Sequence, residues 1–395
     1  MAVLWQLGAE LLRKTLPAIE ISLNRNVSDR SINVVLGEII WHLSAVASVF
    51  ELSLDQVIER NIEKVTFRAN RDNPTPLHDD DREEFERFPR RFEICFVTVR
   101  EGESRMYLRG KQLGDDLNNN YRQDDGYRFH DVMHLANAAH LGWSPVLRAL
   151  MGKKRKSRDD QVDAVEDGAR AQIVEELVLK AIHSEGTRLA NEASRCPADG
   201  PAPTFPTRGV ITFRLLKNLR DYVIGHEVWK NQYWEWEDAI FYGSAIYYKL
   251  RIEQQGTVTV DMNARKIEYS PDVCLDIRGA SVGLGAGRAS INMPSAEADE
   301  VLTAWDRRWI RDNAGRARAV AAKRAVYTAL KVPGNSWNQM DVKLHADDRI
   351  CVRARGLVQE RMWATGAISF QLAFADGPDA IDCTAIAIAD VADVS

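Results

Sequence analysis

The chain has little cysteine, and what it has follows no pattern. Cys95, Cys196, Cys274, Cys351 and Cys383 are odd in number, scattered, and nowhere spaced as CxxC. That argues against a zinc ribbon or a disulfide framework and leads us to expect a reducing cytoplasm. Charge of one sign is lacking too. A net charge of −5 leaves no basic footprint for a nucleic-acid duplex. No apolar run approaches the length of a membrane span, so no membrane partner is expected. The first ten residues carry neither the basic stretch nor the cleavage pattern of a signal peptide. No internal repeat is evident.

What is present is ordinary globular composition, 45% hydrophobic and 28% charged over 395 residues, too long for one usual core. The patterning predicts a multidomain, mainly α chain with a small β-hairpin, followed by an α+β domain. Apolar residues recur at helical spacing over 3–22 and 31–50, and Ser53 is a plausible N-cap for a third helix from Leu54 to Arg68. Together these make a helical segment over 1–70. Residues 71–91 are polar, acidic and proline-containing, and read as a linker or exposed loop. Strands are expected at Phe92–Val99 and Ser104–Arg109, then helices from Asp125 to about Ala190 and a pair ending near Leu250, making a domain over 92–255. Trp229, Trp234, Trp236 and Tyr242 on the last of these read as core. From 256 onward alternating segments predict an α+β domain. It has strands at 257–261, 266–269, 273–277, Met340–Leu344, Ile350–Ala354, Ile368–Phe374 and Cys383–Ala389, and one long helix over Ser295–Leu330.

The chemistry concentrates in Tyr127-Arg-Phe-His-Asp-Val-Met-His134 and Val165-Glu-Asp-Gly-Ala-Arg-Ala-Gln-Ile-Val-Glu-Glu176. His130, His134 and Asn137 share one helix face, with Asp131 about 100° round from His130. Two imidazoles facing an acidic helix form a divalent-metal set, against the plainer reading of a solvated stripe. The expected ligands are His130, Asp131, His134, Glu166 and Glu176, with Glu175, Glu176 and Asp131 as catalytic groups. Glu175 and Glu176 cannot both face His130, so one is expected to ligate and the other to assist. Carboxylates favour Mg²⁺ or Mn²⁺, and the histidines pull toward Mn²⁺ or Zn²⁺. Arg128, Asn137, Arg148, Lys153 and Arg170 are the candidate substrate-binding residues, the basic run from Lys153 to Lys156 being suited to phosphates or simply to solvent.

The stretch from Gly114 to Pro145, with Val165–Arg170, Glu175-Glu176 and Trp236-Glu-Asp-Ala-Ile240, resembles the carboxy-terminal region of MazG-like nucleotide pyrophosphohydrolases. Leu36-Gly-Glu-Ile-Ile-Trp-His-Leu43, Leu54 and Asn61–Val65 are similar to the second half of a MazG fold, so the resemblance spans about 1–255. It implies cleavage of nucleoside triphosphates between the α- and β-phosphates with Mg²⁺ held by helix-borne carboxylates, and helices paired across a homo-oligomer. The family's acidic helix pairs are reduced here. Glu38 stands where an Asp is expected, Val35 replaces a Glu, and Glu10 lacks a partner, which moves the expected chemistry to His130, His134 and their acidic neighbours. In the last third, Ala321–Leu330 and Ser336–Val342 are similar to holo-acyl-carrier-protein synthases, which are phosphopantetheinyl transferases. That similarity implies coenzyme A and an acyl carrier protein as partners, with Asp276 and Lys323 retained, Arg324 in place of the metal-binding Glu, and Leu372 where a His would fall.

Four readings follow. The first is a metal-dependent nucleotide pyrophosphohydrolase, an enzyme acting on acid anhydrides. The second is phosphopantetheine transfer by the last domain. The third is a nucleotide or coenzyme A sensor without turnover. The fourth takes His130–His134 as an echo of the zinc-peptidase HExxH with its base shortened from Glu to Asp.

Overall fold

Among the described residues, Ser31 and Ser53 open the first two helices of the computed structural model. The structure describes residues 31–66, 71–119, 125–158, 160–193, 204–273, 275, 279–334, 336–345 and 350–390. The expected helix over 3–22, Glu10, Asp276 and most of the expected strand at 273–277 lie outside them. Two compact units divide the chain, Met1–Asn73 and Pro74–Ser395.

In the first unit, α1 (Ile32–Val49) starts where Ser31 accepts from the Val34 amide, and α2 (Leu54–Thr66) starts where Ser53 accepts from Gln56. With 18 residues and mean hydropathy 1.6, α1 is long and apolar enough to cross a membrane by length and composition. That corrects the expectation that no run approaches a span. Its 27 Å or so of rise is still short of a typical ~30 Å hydrocarbon core, and Glu38 and His42 interrupt it.

In the second unit the polar stretch after Pro74 has no regular structure, yet it is not simply exposed. Asp79 is fully buried, accepting from Phe88 N (2.9 Å), Arg90 (2.7 Å) and Arg148 (2.9 Å). Glu86 is buried as well, and accepts from Ser157 N and Oγ at 2.6 Å each. Charges survive inside because each is matched.

An antiparallel sheet follows, built from β1 (Arg91–Arg100), β2 (Glu103–Leu108), β3 (Lys111–Asn118), β4 (Gln255–Asp261) and β5 (Lys266–Ser270) in the order β3-β2-β1-β4-β5. The expected hairpin is therefore the middle of something larger. Ile94 on β1 pairs with Leu108 on one side and with Val258 on the other. The sheet crosses the domain boundary expected at 256, because β4 hydrogen-bonds to β1, a strand about 160 residues earlier, and β5 to β4.

Between β3 and β4 lie the helices α3 (Asp131–Leu141), α4 (Pro145–Leu150), α5 (Val162–Val165), α6 (Ala169–Ala193), α7 (Phe213–Tyr222) and α8 (Tyr233–Glu253). α3 is buried along its whole length and packs on α8, where Gly243 leaves room. A Cβ there would come within 2.8 Å of the Ala136 Cβ and of the Met133 Sδ. Trp234 and Trp236 are core, as expected, whereas Trp229 and Tyr242 are partly exposed.

The last third holds β6 (Ala280–Ser290), α9 (Ser295–Val301), α10 (Asn313–Ala329), β7 (Met340–Leu344), β8 (Ile350–Ala354), α11 (Gly356–Thr365), β9 (Ala367–Asp376) and β10 (Ala380–Ala389). The long helix expected over 295–330 is two helices. Thr303 and Asp306 break it by capping each other's backbone amides at 2.7 and 3.2 Å, and Asp312 caps α10 through Gly315 N. β6 was not anticipated. It forms a three-stranded antiparallel sheet ordered β6-β10-β9, with α10 lying on it. Gly283, Gly285 and Gly287 let the α10 backbone approach, since a Cβ on each would sit 2.1–2.3 Å from a carbonyl oxygen of Ala329, Ala325 or Ala321. Cys95 and Cys383 are free, but Cys351 is disulfide-bonded, a departure from the reading of the cysteines. The chain thus combines helices with antiparallel sheets.

Candidate metal centre

α3 opens on its own chemistry. A 3-10 turn at Tyr127–Phe129 leads into His130, which precedes the first helical residue, Asp131; His134 follows one turn later. Gly142 closes the helix in the left-handed region at φ +66°, and Ser144 with Pro145 starts α4 at once. α6 brings Glu175 and Glu176 to this end of α3.

His130 Nδ1 lies 2.9 Å from the Tyr127 carbonyl oxygen, which fixes a proton on that nitrogen and leaves Nε2 as a lone-pair donor. Its Nε2 is 3.3 Å from Asp131 Oδ1 and 3.9 Å from Glu176 Oε2. His134 Nδ1 lies 2.8 Å from Glu175 Oε1, and its Nε2 lies 3.2 Å from Glu176 Oε1 and 3.9 Å from Asp131 Oδ1. Ligand atoms of His130, His134 and Glu176 all fall within 4.8 Å of one another. Burial alone would lower the His134 pKa, but the Glu175 carboxylate, with Glu176 and Asp131 beyond it, raises it well above the ordinary histidine value. Burial would likewise raise that of Glu176, and His134 and His130 pull it below the usual carboxylate range.

The donor set fits a divalent cation. Although close to carboxylates, neither ring nitrogen of His134 has an aligned hydrogen bond, and the ring is 2% exposed. A buried nitrogen in that position, beside a second imidazole and carboxylates in excess of cations, has the chemistry of a metal ligand. Glu175 has a different task. It is fully buried and is bound by Asn137 Nδ2 (3.2 Å) and Val146 N (3.0 Å) as well as by His134. A carboxylate behind an imidazole orients the ring and raises its basicity.

Other expected residues lie elsewhere. Glu166 does not join the histidines, because α5 ends at Val165 and a bend through Gly168 separates it from α6; its carboxylate meets His226 Nδ1 (3.3 Å) and Glu227 N (3.2 Å). Arg148 is not free for phosphate. It is 2% exposed and committed to Asp79 and to the carbonyls of Glu86 and Lys153. Lys153 donates to the Phe85 carbonyl, and Arg155, in the same basic run, is buried against Asp167 and Glu227. Arg128 is buried and donates to Asn119 and Gln254. Asn137 faces Glu175, as above. Arg170 is exposed and lines a separate groove with Tyr222 and His226. In the last third, Lys323 is fully buried with its ammonium 2.9 Å from Asp306, so it offers nothing to a ligand. Arg324 is spent on the Arg288 carbonyl and Glu297, and Leu372 sits in β9.

Sequence reasoning passed over Lys180 as a group for substrate. It is exposed, one turn beyond Glu176 on α6, and lies 5.8 Å over the Tyr127 ring with no ion pair among the described residues. The (i, i+4) spacing to Glu176 was the available signal.

No curated protein matches the chain. Among solved structures, the crystal structure of holo-ACP-synthase from Plasmodium yoelii is 17% identical at a TM-score of 0.24, covering 29% of this chain and 98% of that one. The Plasmodium yoelii acyl carrier protein synthase with ADP bound is 12% identical at 0.25, with the same coverage. Likeness at this level carries no argument about activity. The sequence comparison is more specific: residues 73–273, which carry the whole histidine–glutamate constellation and β1 to β5, match the MazG C-terminal domain. With just over half its length matched, this chain belongs to the MazG C-terminal domain family.

Proposed function

We propose that the chain is a divalent-metal-dependent nucleoside triphosphate pyrophosphohydrolase that cleaves between the α- and β-phosphates at the end of α3. The observation that carries the reading is the convergence of His130, His134 and Glu176, with Glu175 and the Tyr127 carbonyl setting the two rings. These three residues would hold Mg²⁺ or Mn²⁺, and two imidazoles in the set favour Mn²⁺. When bound, the ion supplies charge neutralisation at phosphate oxygens and a more acidic water.

The chain's own groups do the rest. Asp131, within 3.3 Å of His130 Nε2, accepts the proton of the attacking water. The water oxygen bonds to phosphorus as the bridging P–O bond breaks, and pyrophosphate leaves with the electron pair. Lys180 is placed to pair with the phosphates, a role that Arg148 and Lys153 cannot fill because both are committed elsewhere.

Release of pyrophosphate from each nucleoside triphosphate with Mg²⁺ or Mn²⁺ tests this. His134→Ala and Glu176→Gln are expected to weaken metal binding by about 100-fold and to abolish turnover. The reading fails if no nucleotide yields pyrophosphate, or if both variants bind the ion and turn over like the wild type.

A further inference from the structure

Three helix ends meet on the side of α6 away from the candidate metal centre. α5 stops at Val165, α6 starts at Ala169 and α7 stops at Tyr222, and the groove among them has a volume of about 430 Å³. Arg170 and Val174 line it from α6, whereas Glu175 and Glu176 lie about 100° and 200° further round that helix from Val174. Its apolar wall is left in water: Ile224 is 66% exposed, Val165 47% and Tyr222 44%. Two polar groups share the lining. Arg170 is exposed and has no hydrogen bond or ion pair with another described residue. The His226 side chain is only 9% exposed, with Nδ1 3.3 Å from the Glu166 carboxylate; its Nε2 has no partner among the described residues and stays open to solvent.

We propose that this groove binds a small organic anion, a carboxylate or phosphate monoester carried on an apolar body, at a site separate from the metal centre. The inference does not rest on the hydrolase reading. Arg170 offers a planar guanidinium that either head group can meet with two parallel bonds. With Nδ1–H held by Glu166, the imidazolium form of His226 carries its second N–H at Nε2, and an anion in the groove favours that form. Glu227 does not oppose the anion, because Arg155 already pairs with it at 2.7 Å. A bare inorganic anion would leave Val165 and Ile224 wet. A neutral apolar molecule would cover Arg170 and Nε2 without pairing either, and a cation would meet like charge at Arg170. A molecule with both parts satisfies both walls, and the volume is that of a small-molecule site.

The test is calorimetric titration of the full chain with octanoate and octyl phosphate, which carry both parts, against acetate, inorganic phosphate and octanamide, which carry one part each. At least one of the first pair is expected to bind, and which of them binds more tightly tells a carboxylate from a phosphate head. The single-part probes should bind at least about tenfold more weakly. Arg170→Met keeps the stem and removes the charge, and Ile224→Glu sets a carboxylate on the apolar wall. Each should weaken binding by about tenfold or more. Both positions are exposed, and Mn²⁺ affinity within about twofold of wild type would report an intact fold and an independent metal centre. The proposal is overturned if neither octanoate nor octyl phosphate binds, or if octanamide binds as tightly as they do. It is overturned equally if both variants bind the two anions as the wild type does, or if Mn²⁺ affinity falls in step with anion affinity.

Discussion

Glu175 and Glu176 are neighbours that face different chemistry. Glu175 is fully buried and holds the His134 ring, the Asn137 amide and the Val146 N–H at once. Glu175→Ala strands two buried donors and is expected to cost about 2–5 kcal/mol, read as a lower urea midpoint. The Glu176 side chain is 42% exposed. Glu176→Ala should change stability by less than about 1 kcal/mol while removing a ligand and weakening Mn²⁺ binding by at least about tenfold. Wild-type stability in the first variant, or wild-type Mn²⁺ affinity in the second, would refute this division of labour. Helical spacing was enough to put His130 and His134 together, and to show that only one of the two glutamates could face His130. It could not place Glu166, because phase carries along one unbroken helix and α5 stops before it. Nor could it show that Arg148 is paired, since Asp79 lies 69 residues away in a stretch that reads as polar loop.

At the scale of elements, the site depends on how closely α3 and α8 approach. Gly243 on α8 meets Ala136 and Met133 on α3, one turn or less from His134. Gly243→Ala gains helix propensity, up to about 1 kcal/mol, but its methyl overpacks the contact by about 1–3 kcal/mol. Net destabilisation of roughly 1 kcal/mol is therefore expected, with a weaker metal site because α3 has to shift. Ala136→Gly in the same chain should recover part of the loss, and a double-mutant cycle in urea should show coupling of at least about 0.5 kcal/mol. Strict additivity would mean that the two helices do not meet there. The elements most readily read from the sequence were those with strong alternation, and β7 and β8 have the bounds that their patterns suggested. β6 was invisible for a physical reason. Gly283, Gly285 and Gly287 score poorly as strand residues, and their value lies in the close approach of Ala321, Ala325 and Ala329 on α10, which no local window contains.

For the molecule as a whole, the decisive fact is that β1 is paired by one neighbouring strand and one distant strand. β2 pairs with it locally, while β4 arrives after the entire helical region, and seven residue pairs from Arg91–Asp261 to Val97–Gln255 join the two. A second layer comes from still later residues. Val97, Val99 and Tyr107 pack with Val273, Leu275, Ile368 and Ile388, and the Trp363 indole donates to the Thr98 carbonyl at 2.9 Å. A composition change at 256 looked like a domain boundary because strand-like segments begin there, yet those strands belong to the earlier sheet. A fragment covering 74–255 should therefore be insoluble, since it leaves the buried Ile94 and Phe96 on an unpaired edge. Extending it to 273 restores β4 and β5 and should give a soluble protein. Without Ile368 and Ile388, each worth about 1.5–3 kcal/mol when buried, its Tm should fall below that of 74–395 by roughly 10 °C or more. Solubility and thermal melts of the three fragments check the argument. A 74–255 fragment that melts cooperatively at the temperature of 74–395 would show that the helical region folds without the returning strands, and would put the boundary back at 256.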